Sequence, residues 1–161
     1  MDLLHVLEKK NCIKKGKFKL KNGEISELYF DMKNLISHPK LLSLIGDRLY
    51  NLMGDFDLIC GIPYGGLPLA CYISTKYNKP MIYFRDKKKL YGTQKLIEGQ
   101  YKKTDKCILI DDVITTGSSI KEAITILNLE VNIVDICVVI NRSKISNEFK
   151  FKSLININNL N

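Results

Sequence analysis

Between Pro39 and Ile140 short apolar runs alternate with stretches of helical spacing, and this rhythm limits the fold more than any other feature of the chain. Pro39 opens a helix with apolar residues at 41, 42, 44, 45, 49, 52 and 53, and Gly54 ends it. Asp57 to Ile62 then reads as a buried strand, Leu67 to Tyr77 as a helix and Met81 to Phe84 as a strand. Cys107 to Ile110, Ile120 to Leu127 and Ile133 to Ile140 repeat the order strand, helix, strand. The expectation is an α/β fold, a parallel sheet with helices on both faces. Ligands of such sheets bind beyond the carboxyl ends of the strands. Tyr64 with its glycines follows one strand end, Arg85 a second, Asp111 to Ser119 a third, and Asn141 with Arg142 a fourth. Four groups able to bind an anion or a polar ligand therefore meet on one edge.

The third of these is the most informative. Cys107 to Ala123 reads CILIDDVITTGSSIKEA: an apolar strand, two acids where it should end, a turn of small hydroxyl residues around Gly117, and a helix. Such a turn has little bulk, so its backbone N–H groups can converge on one anion. The following helix adds unpaired N–H donors and the positive end of its dipole. The paired carboxylates Asp111 and Asp112 would repel a phosphate unless they face something else. Carboxylates accept hydrogen bonds, and a sugar diol donates two. A ribose 5-phosphate satisfies both halves. The plainer alternative is a Ser/Thr helix cap beside two surface acids.

At 161 residues the chain reads as one domain, long enough to bury a core. No run approaches the roughly 18 apolar residues of a membrane span, and Met1 to Lys10 lacks the pattern of a secretory signal. Apolar residues at 3, 4 and 7 suggest a short amphipathic helix there instead. Phe18 to Gly23 and Leu28 to Met32 read as strands of a hairpin, and Phe151 to Ile157 as a last short strand. The five cysteines are scattered without a CxxC pair, the pattern of a reducing compartment, so a cytoplasmic location without a zinc site is expected. The formal net charge of +8 favours anionic partners, which include nucleic acid and phosphorylated sugars.

Arg85 to Gly99 (RDKKKLYGTQKLIEG) is a long basic stretch with little apolar content. A loop of this length in a compact domain is usually functional or disordered. Its two readings are a lid over a diphosphate, shielding the reaction from water, and a solvated lysine run.

ILIDDVITTGSSI resembles the phosphoribosyl pyrophosphate motif of the type I phosphoribosyltransferases. YGTQKLIEG resembles the catalytic loop of the orotate phosphoribosyltransferase family, especially in the bifunctional eukaryotic pyrimidine enzymes. CGIPYGGLPLA and FKLKNGEISELYF are similar to further stretches of that family, so the resemblance runs from about Phe18 to Arg142. It implies the type I fold with a small N-terminal hood: residues 1–36 as N-terminal helix and hood, 37–142 as core, and 143–161 as a short C-terminal segment of a single domain. The implied reaction transfers ribose 5-phosphate from phosphoribosyl pyrophosphate to orotate in UMP biosynthesis, with Mg2+ held by the donor's oxygens. The resemblance also implies a cytoplasmic homodimer whose catalytic loop is shared between subunits, with a separate decarboxylase as a possible associate. No nucleic acid is expected.

Carried over residue by residue, the resemblance implies that Lys21, Tyr29 and Phe30 line the orotate pocket. Tyr64 holds the diphosphate side of the donor. Arg85 and Lys89 clamp the diphosphate, with Lys88 and Tyr91 beside them. Asp111 and Asp112 bind the ribose hydroxyls. Thr115, Thr116, Gly117, Ser118 and Ser119 hold the 5-phosphate, and Arg142 pairs with the orotate carboxylate. The chain departs from the pattern at Asp86, where the family usually has a lysine, at Leu90, where an acid is usual, and at Gly65, where bacterial forms have a lysine. The rival functions are transfer to another base, such as uracil or a purine, and a non-catalytic regulator that senses the donor and binds nucleic acid.

Overall fold

In the computed structural model, which describes residues 2–19, 23–86, 92, 95–143 and 150–159, the expected alternation folds into a six-stranded sheet. Its strands are β3 (Leu58–Gly61), β4 (Met81–Phe84), β5 (Ile97–Glu98), β6 (Lys106–Ile114), β7 (Asn132–Asn141) and β8 (Lys152–Asn156). They lie in the order β5-β4-β3-β6-β7-β8. All neighbours are parallel except β4 and β5. A separate antiparallel pair, β1 (Ile13–Lys19) with β2 (Ile25–Phe30), forms the hood. The helices are α1 (Leu3–Lys9), α2 (Pro39–Leu52), α3 (Gly66–Tyr77) and α4 (Ser118–Leu127). No helix among the described residues is long and apolar enough to cross a membrane.

Successive residues of a strand point to opposite faces, and β6 shows how this divides the core. Ile108 and Ile110 join Leu41, Ile45 and Leu49 of α2 and Leu69, Ala70 and Ile73 of α3 on one face. Cys107 and Leu109 join Ile120, Ala123 and Leu127 of α4 on the other. Both faces are therefore covered, which is why β3 and β6 read as unbroken apolar runs. Cys60, Cys107 and Cys137 are fully buried in these layers. Burial pushes the Cys107 and Cys137 thiols up to about 12, which suits small hydrophobes rather than reactive thiolates.

Helices α2 and α3 are clipped together at their surface. Asp47 accepts hydrogen bonds from the Tyr72 hydroxyl at 2.8 Å, the Lys76 ammonium at 2.7 Å and the Tyr77 hydroxyl at 2.9 Å. The Lys76 bond leads in holding the Asp47 carboxyl below its usual range. Helix α3 ends at Asn78, whose left-handed conformation (φ 52°) is a common way to terminate a helix.

The structure moves several boundaries. The first hood strand begins at Ile13 rather than Phe18, because a bulge between Lys15 and Phe18 breaks the alternation that would have marked it. Residues 20–22 of the expected strand lie outside the described residues. The two-residue strand β5 carries too short an apolar signal to be read from sequence. The last expected strand is present as β8, parallel to β7 at the sheet edge.

The sheet order also explains where the site lies. From β3 the chain crosses to β4 through α3, and from β6 it crosses to β7 in the opposite direction through α4. Such a reversal of direction opens a crevice between the two inner strands at their carboxyl ends. Here those strands are β3 and β6.

Candidate active site

β3 stops at Gly61, opposite Ile110, while β6 runs on to Ile114 beside the longer β7. Asp111 and Asp112 were expected at the end of a strand, and they lie within it instead, still paired on the β7 side. The place vacated by β3 is filled by the turn Pro63-Tyr64-Gly65-Gly66, which contains a cis peptide between Pro63 and Tyr64. Gly66 is required by a backbone contact, and Gly65 leaves its side-chain space to Asp112. A Cβ on Gly66 would lie 2.1 Å from the Ile110 carbonyl oxygen, and one on Gly65 would lie 2.1 Å from Asp112 Oδ2. The Asp112 carboxylate thus occupies the space a side chain at position 65 would need.

The two acids differ in environment. Asp111 is 6% exposed. Burial, and next the neighbouring Asp112 charge, push its carboxyl well above the usual range. Each acid accepts from the backbone N–H that follows it, Asp112 N to Asp111 Oδ1 at 2.9 Å and Val113 N to Asp112 Oδ1 at 2.7 Å. One oxygen of each is thereby tied down. Carboxylate oxygens of this kind can accept from a sugar diol or from the water shell of a hard cation such as Mg2+. Among the described residues no three His, Cys, Asp or Glu side chains come together as a metal cage.

Beyond Ile114 the chain turns sharply into α4. Gly117 takes up a left-handed conformation, φ 76°, which a glycine adopts without steric cost. Thr115, Thr116, Ser118 and Ser119 are exposed around it, and Thr116 Oγ1 lies 2.8 Å from Ser118 Oγ. The turn is an open cradle at the N-terminus of a ten-residue helix, with hydroxyl and N–H donors around it. A cavity of about 190 Å³ is lined by Tyr64 and Gly65 together with Met32, Leu35, Pro68 and Leu69. Its walls are largely apolar and suit a phosphate poorly, so the open cradle is the better anion site.

Arg142 follows β7. Its backbone N–H donates to the Ile114 carbonyl at 3.1 Å, which seats it beside the cradle. Its guanidinium stands 5.0 Å from the centre of the Phe30 ring and donates to Ser26 Oγ at 3.4 Å. Hood and sheet are thus joined through this arginine. Tyr29 and Phe30 were expected to act as a pair, yet adjacent strand residues face opposite ways. Phe30 packs toward the core and Arg142, whereas Tyr29 is 43% exposed and contacts Phe18, ring centres 5.3 Å apart.

Arg85 follows β4. Its Nε donates to Glu98 Oε1 of β5 at 2.6 Å, and its backbone N–H donates to the Leu96 carbonyl. Tyr64 is 64% exposed and donates from its hydroxyl to Asp86 Oδ2 at 2.6 Å. Ser26, Asp86 and Glu98 are contacts that sequence reasoning did not assign. A lone serine, an acid within a basic run and an acid in a two-residue strand carry no local signal. Lys21, Lys88, Lys89 and Tyr91 lie outside the described residues.

The phosphoribosyl transferase domain family matches residues 31–158. An orotate phosphoribosyltransferase of Pyrococcus horikoshii is 38% identical over 99% of this chain and 91% of its own length. The uridine 5'-monophosphate synthase of Bos taurus is also 38% identical, over 83% of this chain but only 29% of that larger protein. Among solved structures, the orotate phosphoribosyltransferase of Aeropyrum pernix superposes with a TM-score of 0.84 at 28% identity, covering 98% of this chain and 94% of that one. With fold, strand-end cradle and relatives in agreement over nearly its whole length, the chain belongs to the phosphoribosyl transferase domain family, among the orotate phosphoribosyltransferases.

Proposed function

We propose that the protein transfers ribose 5-phosphate from phosphoribosyl pyrophosphate to orotate, giving orotidine 5-monophosphate and pyrophosphate in UMP biosynthesis. The observation that carries this reading is the position of Arg142. Its backbone is hydrogen-bonded to Ile114, the residue before the phosphate cradle, and its guanidinium lies over Phe30. A guanidinium beside an aromatic face suits a flat, anionic ring such as orotate.

In this reading residues 115–119 hold the 5-phosphate through backbone N–H and hydroxyl donors. Asp111 and Asp112 accept from the ribose hydroxyls and orient the ring. Tyr64, Arg85 and Lys89 bind the diphosphate, with Lys88 and Tyr91 nearby, and Lys21 with Phe30 bounds the base. The nucleophile is the orotate ring nitrogen, so no covalent catalyst is needed. The protein's work is to align that nitrogen with the anomeric carbon and to stabilise the departing diphosphate with cationic donors. Magnesium, held by the donor's oxygens and through its water shell by Asp111 and Asp112, would supply neutralisation of the diphosphate charge.

A single domain over residues 1–161 acts as a homodimer in the cytoplasm, with the loop bearing Lys89 reaching the neighbouring subunit's site. A separate orotidine monophosphate decarboxylase is a natural associate, since in some relatives the homologous region is one part of a longer synthase. Mixing the protein with orotate, phosphoribosyl pyrophosphate and magnesium tests the reading: orotate absorbance falls. Turnover of uracil, adenine or hypoxanthine in place of orotate would reject the base assignment. A salt-dependent shift on RNA or DNA without any turnover would favour the regulator.

A further inference from the structure

The donor side of the site holds a contact that the proposed reaction does not need. Tyr64 comes from the turn that fills the gap beyond β3, and Asp86 from the chain just beyond β4. Both are exposed, yet the Tyr64 hydroxyl donates to Asp86 Oδ2 at 2.6 Å, a short bond to a charged acceptor. That bond leads in pushing the Tyr64 phenol above its usual range, which keeps its proton in place. A hydroxyl has one proton to donate. While Asp86 holds it, Tyr64 cannot donate to a phosphate oxygen.

The surroundings make this exchange consequential. Position 65 is a glycine with Asp112 filling its side-chain space, so the turn offers no second side-chain donor there. The neighbouring Arg85 is fixed by Glu98 and by the Leu96 carbonyl, so Asp86 leaves an anchored point of the backbone. Opposite charges thus stand at adjacent positions, one attracting a diphosphate and the other repelling it.

We propose that Asp86 is a positioning residue on the donor side: its carboxylate holds the Tyr64 hydroxyl in the donor-free protein, and the donor's diphosphate must take that hydroxyl from it. Asp86 thereby weakens retention of both the donor and the product pyrophosphate. This rests on the reading that the diphosphate lies at Tyr64 and Arg85.

The test is calorimetric titration of inorganic pyrophosphate with magnesium into the full chain, for the parent, Asp86→Ala, Tyr64→Phe and the double variant. Asp86→Ala tightens binding about five- to tenfold, the scale of removing a nearby like charge together with a competing acceptor. In the Tyr64→Phe background the same change tightens binding by only about twofold, since only the charge effect is left. Asp86→Asn, which keeps the shape and a weaker acceptor, falls between. Structural damage would weaken binding, so a gain in affinity separates positioning from misfolding. Equal tightening in both backgrounds, or weaker binding in Asp86→Ala, overturns the proposal while leaving the donor site intact. A parent protein that binds no pyrophosphate overturns the proposal and the donor reading together.

Discussion

The two halves of the site are built in different ways. The half proposed for the ribose phosphate, Asp111 to Ser119, is one continuous stretch, and its internal hydrogen bonds join residues one or two apart. The base and diphosphate half is assembled from afar: Arg142 meets Ser26 across 116 positions, Tyr64 meets Asp86 across 22, and Arg85 meets Glu98 across 13. A contiguous cradle forms wherever its strand and helix form. An assembled pocket exists only once hood, turn and sheet edge are all in place. The difference teaches that such a fold can hold a ribose 5-phosphate on one continuous stretch while the diphosphate and the base are met by separate elements, each free to vary.

If the assembled half does most of the chemistry, its loss should be felt in turnover rather than in donor capture. Lys89→Ala is expected to lower kcat about a hundredfold or more, the scale of losing one charge-stabilising donor in a transition state. The orotate KM should move much less. Steady-state assays following orotate absorbance measure both, and near-normal turnover would remove Lys89 from the reaction.

Dependence of the assembled half on close packing is tested at Gly66. An added Cβ would meet the Ile110 carbonyl at 2.1 Å, a backbone atom of the central strand that cannot swing away. Gly66→Ala should destabilise by about 2–3 kcal/mol and lower Tm by about 5–10 °C. An unchanged melting curve would mean that the turn can shift away from β6, and that the two halves are less tightly joined than they look.

Arg142→Ala separates the halves more finely. It removes the charged partner proposed for the orotate carboxylate and keeps the backbone bond to Ile114, so the orotate KM should rise about ten- to hundredfold. The KM for phosphoribosyl pyrophosphate should change several-fold at most. Equal loss for both substrates would show that Arg142 supports the whole site through the hood.

This division also explains what could be read from the chain. β3, β6, β7 and the three helices packed on the sheet were legible because burial on both faces leaves long apolar runs with clear punctuation. The cradle was legible because its chemistry is contiguous: DDVITTGSS carries its acids, hydroxyls and glycine in order. The β5 edge was not, since two residues carry no periodicity. Glu98 and Ser26 were missed because each acts through a partner distant in sequence. The two acids were expected at the strand end, and the error has a physical source: β7 runs on to Asn141, so β6 keeps a hydrogen-bonding neighbour beyond the point where β3 leaves it.

The smallest expected effect concerns the cradle alone and runs against intuition. Asp111 is buried, and burial raises its carboxyl above the value of about 3.9 it has in the unfolded chain. The folded protein therefore keeps a proton there at pH values where the unfolded chain has lost it. The associated stability is fully present below about pH 4 and is lost as pH rises toward the folded-state value. At neutral pH the parent carries this loss. Asp111→Asn removes it, and the amide oxygen can still accept the Asp112 N–H that now binds Asp111 Oδ1 at 2.9 Å. The donor-free variant should be more stable than the parent at pH 7, with the advantage shrinking as pH falls toward 4. Thermal melts of both proteins across that range measure the difference directly, so carboxylates that titrate alike in the two proteins cancel. The same variant should bind phosphoribosyl pyrophosphate about tenfold more weakly, because the charged acceptor proposed for the ribose hydroxyls is gone. Stability gained while donor binding is lost would mark Asp111 as a residue kept for its ligand at the expense of the fold. A variant that is less stable at every pH would show instead that the ionised acid is well solvated in its place, and that the contiguous half of the site costs the fold nothing.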